Sequence, residues 1–318
     1  SGGFIRECHG DLHLANIVLL DEVPVPFDGI EFNPELRFID VASDIAFTFM
    51  DLGEHGLPRL AWRFLNQYLE ASGDYGLLTG LRFYAVYRAL VRAKVSLIRA
   101  HQPDAHPAGR WKAEAAFARD LALAERLAVA PSPLLVAVGG LSGSGKTTVA
   151  GVLLEHLGAV RVRSDVERKR LAGLTPGAHR AAAFGAGLYS PAMTKRTYQR
   201  LHEVAAAVLE AGYPVIVDAA MLRRAERDAL RRLAERLGVR CECVWCDAPP
   251  TTLRSRIARR QAQGADASDA TLAVLERQRT FAEVPAAGER VRRFDTRMRR
   301  SRLDDEVALL AAALGKKR

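Results

Sequence analysis

The chain has 318 residues, of which 49% are hydrophobic and 26% charged, and its formal net charge is +9. Such a chain can bury one or two substantial cores, and its length favours two domains. It contains no apolar run near the ~18 residues of a membrane span and no charged-then-apolar leader, so we expect a cytoplasmic protein without membrane contacts. Four cysteines in a chain this long do not make a disulfide framework.

The basic excess lies in the second part of the chain. Residues 1–130 hold 13 Lys and Arg against 17 Asp and Glu, whereas residues 131–318 hold 33 against 20. A basic field of that size suits an anionic ligand, whether a nucleotide, a sugar phosphate or nucleic acid. Solvated arginine-rich helix faces would give the same count, so charge alone does not identify a binding site.

The first chemically informative segment in chain order is residues 8–17, C-H-G-D-L-H-L-A-N-I. Its H-x-D-x-x-x-x-N layout is typical of kinase catalytic loops, in which the aspartate accepts the proton of the attacking hydroxyl and the asparagine holds a metal. Those residues would be Asp11 and Asn16, and Asp28 in F-D-G-I-E-F would bridge metal to phosphates. We expect His9 to fix the loop geometry, and an ordinary H-G-D turn remains the alternative.

Together with R-F-I-D-V-A-S-D-I-A-F at residues 37–47, these motifs resemble the C-terminal lobe of the aminoglycoside phosphotransferase and choline-kinase-like family. The resemblance covers about residues 5–125 and implies a mainly helical lobe, with Arg37, Asp40 and Asp44 in the family's structural acidic segment. Such kinases also need an N-terminal lobe with a glycine-rich phosphate cover and a lysine. Since nothing precedes residue 1, we expect a truncated product of a longer gene whose first domain is catalytically silent.

Apolar residues at helical spacing predict helices within residues 58–100 and 110–128, with a break at 101–109. The sequence A-V-A-P-S-P at residues 128–133 then carries two prolines, which stop a helix and favour an extended link. We therefore divide the chain into a first domain at 1–128, a linker at 129–133 and a second domain at 134–318.

Strands and helices alternate after the linker, and continuous apolar strands separated by helices imply a parallel sheet covered on both faces. This is an α/β fold class, preceded by the helical lobe. The predicted strands are 134–138, 159–163, 214–218, 241–246 and 290–294. The predicted helices lie near 146–157, 165–172, 192–211, 222–237, 250–263, 268–282 and 303–314. The cysteines in C-E-C-V-W-C fall on a strand, which favours buried structural thiols over a metal site.

Residues 134–149 carry the strongest motif, because the strand L-L-V-A-V is followed by G-G-L-S-G-S-G-K-T-T and a helix. The spacing G-x-x-x-x-G-K-[ST] is that of a P-loop, whose backbone N–H groups converge on phosphates at a helix N-terminus. Lys146 would reach the β- and γ-phosphates of ATP, and the Thr147 hydroxyl would ligate Mg²⁺. The predicted ATP-binding residues are Gly140, Leu141, Ser142, Gly143, Ser144, Gly145, Lys146, Thr147 and Thr148.

Other polar residues follow predicted strands at the edge where open α/β sheets bind ligands. Asp165 and Arg168 lie three apart on one helix face, so a base and a phosphate-binding cation could address one substrate, although a plain N-cap aspartate would also fit. Asp218 ends another strand and suits either metal binding or acceptor binding. Arg256 and Arg260 lie at i,i+4, where like charges repel unless an anion lies between them.

The segments R-S-D-V-E-R-K-R, G-L-Y-S-P, V-I-V-D-A, C-D-A-P-P and the arginine helix followed by D-A-S-D-A complete a second resemblance, over about residues 133–298. The chain resembles the predicted P-loop kinases related to phage polynucleotide kinase, zeta toxin and gluconate kinase, often fused behind an aminoglycoside-phosphotransferase-like domain. The resemblance implies that Asp165 is the general base and Arg168 a substrate contact. It further implies that Arg256 and Arg260 belong to a lid over the γ-phosphate.

The sequence thus indicates an ATP- and Mg²⁺-dependent phosphotransferase acting on a hydroxyl of a small acceptor. A nucleotide-driven regulatory module and a polynucleotide 5′-hydroxyl kinase are the alternatives. Few aromatic residues, among them Tyr189, Tyr198 and Phe184, interleave the basic segments, which disfavours a stacking platform for single strands. The identity of the acceptor, the coupling of the two domains and the oligomeric state stay open at this stage.

Overall fold

The computed structural model describes residues 3–102, 106–178, 187–263, 271–286, 288–298 and 300–315. The chain forms two compact units, one of Ser1–Leu65 with Gly76–Ala130, the other of Asn66–Tyr75 with Pro131–Arg318. Across the described ranges, no helix is both long enough and apolar enough to cross a membrane. Phe184 and the D-A-S-D-A segment at 266–270, both singled out above, lie outside the described residues.

The first unit is mainly helical, as its apolar spacing predicts, and its short strands pair in two antiparallel ribbons, β1 with β4 and β2 with β3. One of its helices is buried along nearly its whole length, since it carries an apolar run from Ile45 to Met50. The strands are β1 (Ile5–Glu7), β2 (Ile17–Leu20), β3 (Val23–Pro26) and β4 (Phe38–Asp40). The helices are α1 (Pro34–Arg37), α2 (Val41–Glu54), α3 (Pro58–Ser72), α4 (Leu78–Ala100) and α5 (Pro107–Ala128).

The second unit is built on a five-stranded parallel sheet flanked by helices, which confirms the predicted α/β fold class. The strand order is β6-β7-β5-β8-β9, and every residue of the central strand β5 is buried. The strands are β5 (Leu134–Gly139), β6 (Val160–Arg163), β7 (Val215–Asp218), β8 (Arg240–Asp247) and β9 (Val291–Asp295). The helices are α6 (Lys146–Leu157), α7 (Ser164–Leu171), α8 (Pro191–Glu210), α9 (Arg224–Arg236), α10 (Pro250–Gln263), α11 (Leu272–Phe281) and α12 (Arg300–Gly315).

The parallel sheet decides where the polar residues of the second unit meet. Since all five strands run the same way, their carboxyl ends form one edge, and each strand delivers a different group there. The loop after β5 begins at Gly140, α7 starts directly after β6, and β7 ends on Asp218. The observed strand bounds agree with the predicted ones to within one residue at each end. Continuous apolar runs mark the inner strands β5 and β7, which are buried along their whole length.

Part of α3 and the turn after it pack on the outer strand of this sheet, within the second unit. The Asn66 side chain donates to Ala159 O (2.9 Å) and accepts from Arg161 N (2.7 Å), so its amide pairs with the free edge of β6. Glu70 accepts hydrogen bonds from Arg161 (2.6 Å) and Arg163 (3.4 Å). A division of the chain at residues 129–133 leaves this segment in the first domain. Only tertiary contacts attach the segment to the second unit, and no local pattern in the sequence shows them.

Candidate active site

The loop between β5 and α6 has the backbone of a phosphate cradle. Gly140, Gly143 and Gly145 all have positive φ, at 140°, 79° and 87°. A Cβ on Gly143 would lie 2.7 Å from Leu253 O, so only glycine allows the loop and α10 to approach this closely. The loop ends at the N-terminus of α6, where backbone N–H groups and the helix dipole favour an anion.

Lys146 and Thr147 open α6 beside the end of β7. Lys146 Nζ donates to Leu141 O (2.9 Å), so the ammonium folds back over the loop. Its enclosed position lowers the pKa of Lys146, and the nearby Asp218 carboxylate opposes that shift. Burial raises the pKa of Asp218, while Arg163, Arg161 and Lys146 oppose the rise. The cavity therefore holds the Lys146 ammonium and the Asp218 carboxylate close together. A bound polyphosphate with its cation would change the electrostatic environment of both groups.

The residues present fit a magnesium ion bound with the nucleotide. The Thr147 hydroxyl hydrogen-bonds to the Asp218 carboxylate, and Asp218 Oδ2 is buried without a hydrogen-bond partner among the described residues. Oxygen donors of this kind are the ligands that Mg²⁺ prefers, usually together with substrate phosphates and water. Thr147 is thus a fitting ligand, and Asp218 fits either direct coordination or contact through a bound water.

Asp165 and Arg168, on the first turns of α7, form an ion pair at the other side of the same cavity. The distance from Arg168 Nη1 to Asp165 Oδ1 is 2.9 Å, and the guanidinium lies 4.9 Å from the centre of the Tyr189 ring. Arg168 is only 8% exposed, and its buried Nε has no hydrogen-bond partner in the described part of the chain. Arg168 therefore keeps one N–H group that can donate a further hydrogen bond. The Asp165 side chain is 27% exposed and lines the cavity.

One cavity of about 270 Å³ brings most of the predicted site residues together. It is lined by Ser142, Gly143, Gly145, Lys146, Thr147, Thr148, Arg163, Ser164, Asp165, Arg168, Tyr189, Thr194, Tyr198, Asp218, Ala220, Leu222, Glu226, Arg256, Arg260, Val274, Gln278 and Phe281. Gly140, Leu141 and Ser144 belong to the loop but do not line the cavity; Ser144 Oγ is buried without a hydrogen-bond partner among the described atoms.

Arg256 and Arg260 of α10 both line this cavity, but Arg256 also binds the loop itself. It donates to Gly143 O (3.3 Å) and to Thr296 Oγ1 (2.9 Å), and Thr296 in turn donates to Ser144 O (2.8 Å). Thr296 follows β9, so its place at the carboxyl edge of the sheet could have drawn attention to it. Arg256 is thereby held against the outer side of the loop, whereas Arg260 lies one helical turn further along.

Gln278 is a second residue that the sequence did not single out. Its Oε1 accepts a hydrogen bond from Ser142 N at 2.8 Å, although 136 positions separate the two residues. The side chain is buried on α11, and the residue lines the cavity. No motif marks this glutamine within an arginine-rich helix, so only the fold identifies it as a support of the cradle.

The predicted H-x-D-x-x-x-x-N segment belongs to the first unit. Asn16 Nδ2 donates to Asp11 O (3.1 Å) and Oδ2 (3.2 Å), so these two are adjacent. Asp44 accepts from His9 N (2.7 Å), and His9 Nε2 bonds to Phe27 O (2.8 Å). Asp28 is exposed, with a positive φ of 58°. In the described residues, no group of three or more His, Cys, Asp or Glu is arranged to hold a metal ion.

The cysteines take structural positions. All four are free thiols, and Cys243 and Cys246 are buried on β8. Burial raises the pKa of the Cys246 thiol to about 12, so it stays protonated at neutral pH. This agrees with the prediction of buried strand cysteines.

In a comparison with known protein families, residues 135–285 match a family described as an AAA domain. An uncharacterized protein of Mycobacterium tuberculosis (strain H37Rv) is 33% identical over 273 residues, which is 86% of this chain and 54% of that protein. The chain therefore spans about half the length of the curated relatives it matches.

Two solved structures are also similar to the chain. A gluconokinase from Sinorhizobium meliloti 1021 has 21% identity and a TM-score of 0.42, over 58% of this chain and 95% of that chain. The APS kinase CysC of Mycobacterium tuberculosis, in complex with AMPPNP and APS, has 22% identity and a TM-score of 0.44, over 58% of this chain and 99% of that chain.

Proposed function

We propose that the second unit is an ATP-dependent phosphotransferase, which moves the γ-phosphoryl group of ATP to a hydroxyl of a small-molecule acceptor. The observation that carries this proposal is that the phosphate cradle and the Asp165–Arg168 pair line one cavity. A donor phosphate on the cradle and an acceptor hydroxyl at Asp165 would then meet inside it. A binding site for nucleotide alone would not need the second pair.

On the donor side, the N–H groups after Gly140 and at the start of α6 bind the β- and γ-phosphates, and Lys146 turns from Leu141 O toward them. Thr147 would hold Mg²⁺, with Asp218 beside it. A bound ion there would supply positive charge to the phosphate oxygens. The buried, unpartnered Asp218 oxygen supports this assignment.

On the acceptor side, Asp165 acts as general base. The hydroxyl oxygen forms a bond to the γ-phosphorus as the bond from that phosphorus to the β,γ-bridging oxygen breaks, the hydroxyl proton passes to the Asp165 carboxylate, and ADP leaves. The hydrogen bond from Arg168 orients this carboxylate. The remaining donor of Arg168, its buried Nε, is available to the acceptor.

Arg256 and Arg260 supply positive charge where negative charge develops on the transferring group. Arg256 is tied to Gly143 O and to Thr296 and therefore also keeps α10 close to the cradle. The position of Arg256 and Arg260 along the cavity supports their assignment as lid arginines of α10. Transfer rather than hydrolysis is favoured when such a helix excludes water.

A screen with ATP labelled at the γ-phosphate tests the proposal against its alternatives. The full chain is incubated with neutral sugars, nucleosides, phosphorylated sugars and 5′-hydroxyl oligonucleotides, and labelled products are separated from free phosphate. We expect label on a small acceptor, and loss of that product in Asp165→Asn. Free phosphate alone, with no labelled acceptor, would support a regulatory ATPase, and labelling confined to oligonucleotides would support a polynucleotide kinase.

A further inference from the structure

A second groove opens beside the active-site cavity. It measures about 1020 Å³ and is bounded by α8, the start of α9 and α11. Five of its lining residues also line the cavity of the phosphate cradle, namely Tyr189, Thr194, Tyr198, Glu226 and Phe281. The groove therefore begins where the acceptor side of the cavity ends, so a molecule held at Asp165 can extend into it.

Three cations from three different elements line this groove. They are Lys195 on α8, Arg223 just before α9 and Arg277 on α11. All three are exposed, and none forms an ion pair with any residue of the described ranges; the Arg223 guanidinium lies 6.0 Å from the centre of the Phe281 ring. Three exposed cations without a carboxylate at ion-pair distance in the described ranges are a local excess of positive charge, whereas Arg227, Arg231 and Arg254 of the same unit each pair with a carboxylate.

The two acidic residues of the groove offset that excess only in part. Glu226 accepts from Tyr198 Oη (3.2 Å) and from Arg223 N (3.0 Å); burial raises its pKa, and the charge of the Arg223 guanidinium opposes that rise. Glu203 lies 3.9 Å from Arg200 Nη1 and accepts from Gln199 Nε2 (3.2 Å). Arg223 is therefore partly balanced by Glu226, whereas Lys195 and Arg277 form no ion pair with the described residues.

The groove also offers a neutral polar atom and aromatic rings. His202 Nε2 is buried without a hydrogen-bond partner among the described residues, and burial lowers the pKa of this imidazole, so it is neutral at pH 7. A neutral imidazole can donate to or accept from a hydroxyl. The rings of Tyr189 and Phe281 stand at the junction with the cavity, where they can pack against a sugar or base ring.

We infer that the acceptor carries a phosphate ester as well as the reacting hydroxyl, and that this phosphate lies in the groove between Lys195, Arg223 and Arg277. The inference rests on the proposed phosphotransferase function and adds a substrate class to it. Guanidinium groups bind phosphate oxygens with paired N–H donors, and three cations match a dianion. The groove is open and about four times the volume of the cradle cavity, so a sugar phosphate and a nucleotide both fit this chemistry.

The test compares matched acceptors that differ only in the phosphate. Labelled transfer is measured for ribose against ribose 5-phosphate, for glucose against glucose 6-phosphate, and for adenosine against adenosine 3′-phosphate. We expect the phosphorylated member of at least one pair to have a KM about tenfold or more below that of its neutral partner, with a difference that shrinks as salt is added. Comparison of the two sugar pairs with the nucleoside pair shows whether the preferred phosphorylated acceptor is a sugar phosphate or a nucleotide.

Charge-reversal variants test whether the cations of the groove cause this difference in KM. In the double variant Lys195→Glu/Arg277→Glu, the KM of the phosphorylated acceptor should rise about tenfold while that of the neutral partner changes less than twofold. Arg279→Glu is the matched control, because Arg279 lies on the same helix but pairs with Glu276 (3.2 Å) outside the groove. An equal rise for both acceptors, or an equal effect of the control, would contradict the inference.

A binding measurement covers the case in which no acceptor of the panel reacts. Wild-type protein saturated with ADP, which occupies the cradle, is titrated with ribose 5-phosphate, glucose 6-phosphate and adenosine 3′-phosphate by calorimetry. We expect saturable binding of at least one probe, lost in the double variant and kept in the control. Absence of binding for all three at millimolar concentration would overturn the inference, whereas the proposed function is decided separately, by whether any acceptor in the screen with γ-labelled ATP becomes labelled.

Discussion

At the scale of single residues, Lys146 carries the clearest assignment. Its ammonium is enclosed beside Asp218 and donates to Leu141 O. Phosphate oxygens can accept the same hydrogen bond, so nucleotide binding does not require a buried charge to stay unpaired. Arg168 is arranged in a similar way, since it donates to Asp165 and keeps its buried Nε as a donor for the acceptor.

We predict that Lys146→Ala abolishes transfer, with a loss of at least about 10²-fold, because the charge on the β- and γ-phosphates then lacks its main counterion. Labelled ATP turnover and ATP affinity are measured together. Lys112→Ala serves as control, since Lys112 is an exposed lysine on α5. Near wild-type binding and turnover in Lys146→Ala would show that the loop is not the phosphate cradle.

For Asp165→Asn we predict a fall in transfer of about 10²–10⁴-fold with ATP affinity nearly intact, because the amide keeps a hydrogen bond to Arg168 but cannot accept the hydroxyl proton. Arg256→Ala and Arg260→Ala should lower transfer and background hydrolysis together, because both reactions develop charge on the same oxygens. The ratio of transfer to hydrolysis separates the two roles. If Asp165→Asn weakens ATP binding instead, Asp165 belongs to the nucleotide site.

At the scale of elements, the cradle depends on how closely α10 approaches the loop after β5. Gly143 must take a positive φ and leave room for Leu253 O, and Arg256 and Thr296 then bind the same loop from outside. Gln278 of α11 holds the Ser142 amide. Two helices and the end of β9 therefore hold the loop in shape, which lowers the cost of ordering it around phosphates.

A pair of glycine variants tests this. Gly143→Ala should destabilise the second unit by about 1–3 kcal/mol and weaken ATP binding, since alanine at φ 79° is strained and its Cβ would lie 2.7 Å from Leu253 O. Gly151→Ala, inside α6, should be neutral or stabilising by up to about 1 kcal/mol, because its Cβ would have an ordinary contact, 3.6 Å from Arg161 Nη1. Thermal unfolding and ATP titration give both values. Equal behaviour of the two variants would contradict the role of Gly143.

At the scale of the whole molecule, the chain carries two sets of residues typical of phosphoryl transfer, one in each unit. The residues lining the cradle cavity all belong to the second unit, and Asp11 and Asn16 are not among them. In the first unit, Asp11 and Asn16 are hydrogen-bonded to each other, and Asp44 holds the loop on which Asp11 lies. We therefore propose that Asp11 and Asn16 are not needed for the transfer that we assign to the second unit.

This interpretation predicts that Asp11→Ala leaves labelled transfer within about twofold of wild type, whereas Asp165→Asn does not. Both variants are assayed with the same acceptor, and thermal unfolding confirms that each is folded. A clear drop in transfer with Asp11→Ala, at unchanged stability, would assign chemistry to the first unit.

The sequence by itself determined the strands, most helices and the phosphate cradle, because their signals are local. A P-loop is a contiguous run of glycines whose dihedral freedom and spacing suffice to shape it, and apolar runs such as V-I-V at 215–217 report burial directly. The tertiary structure alone decided that Asn66 pairs with the edge of β6 and that Gln278 and Thr296 hold the cradle. It also brought Lys195, Arg223 and Arg277 to one groove. These contacts join residues up to 152 positions apart, and side chains at such separations meet only through the crossings of the chain, which no local period encodes.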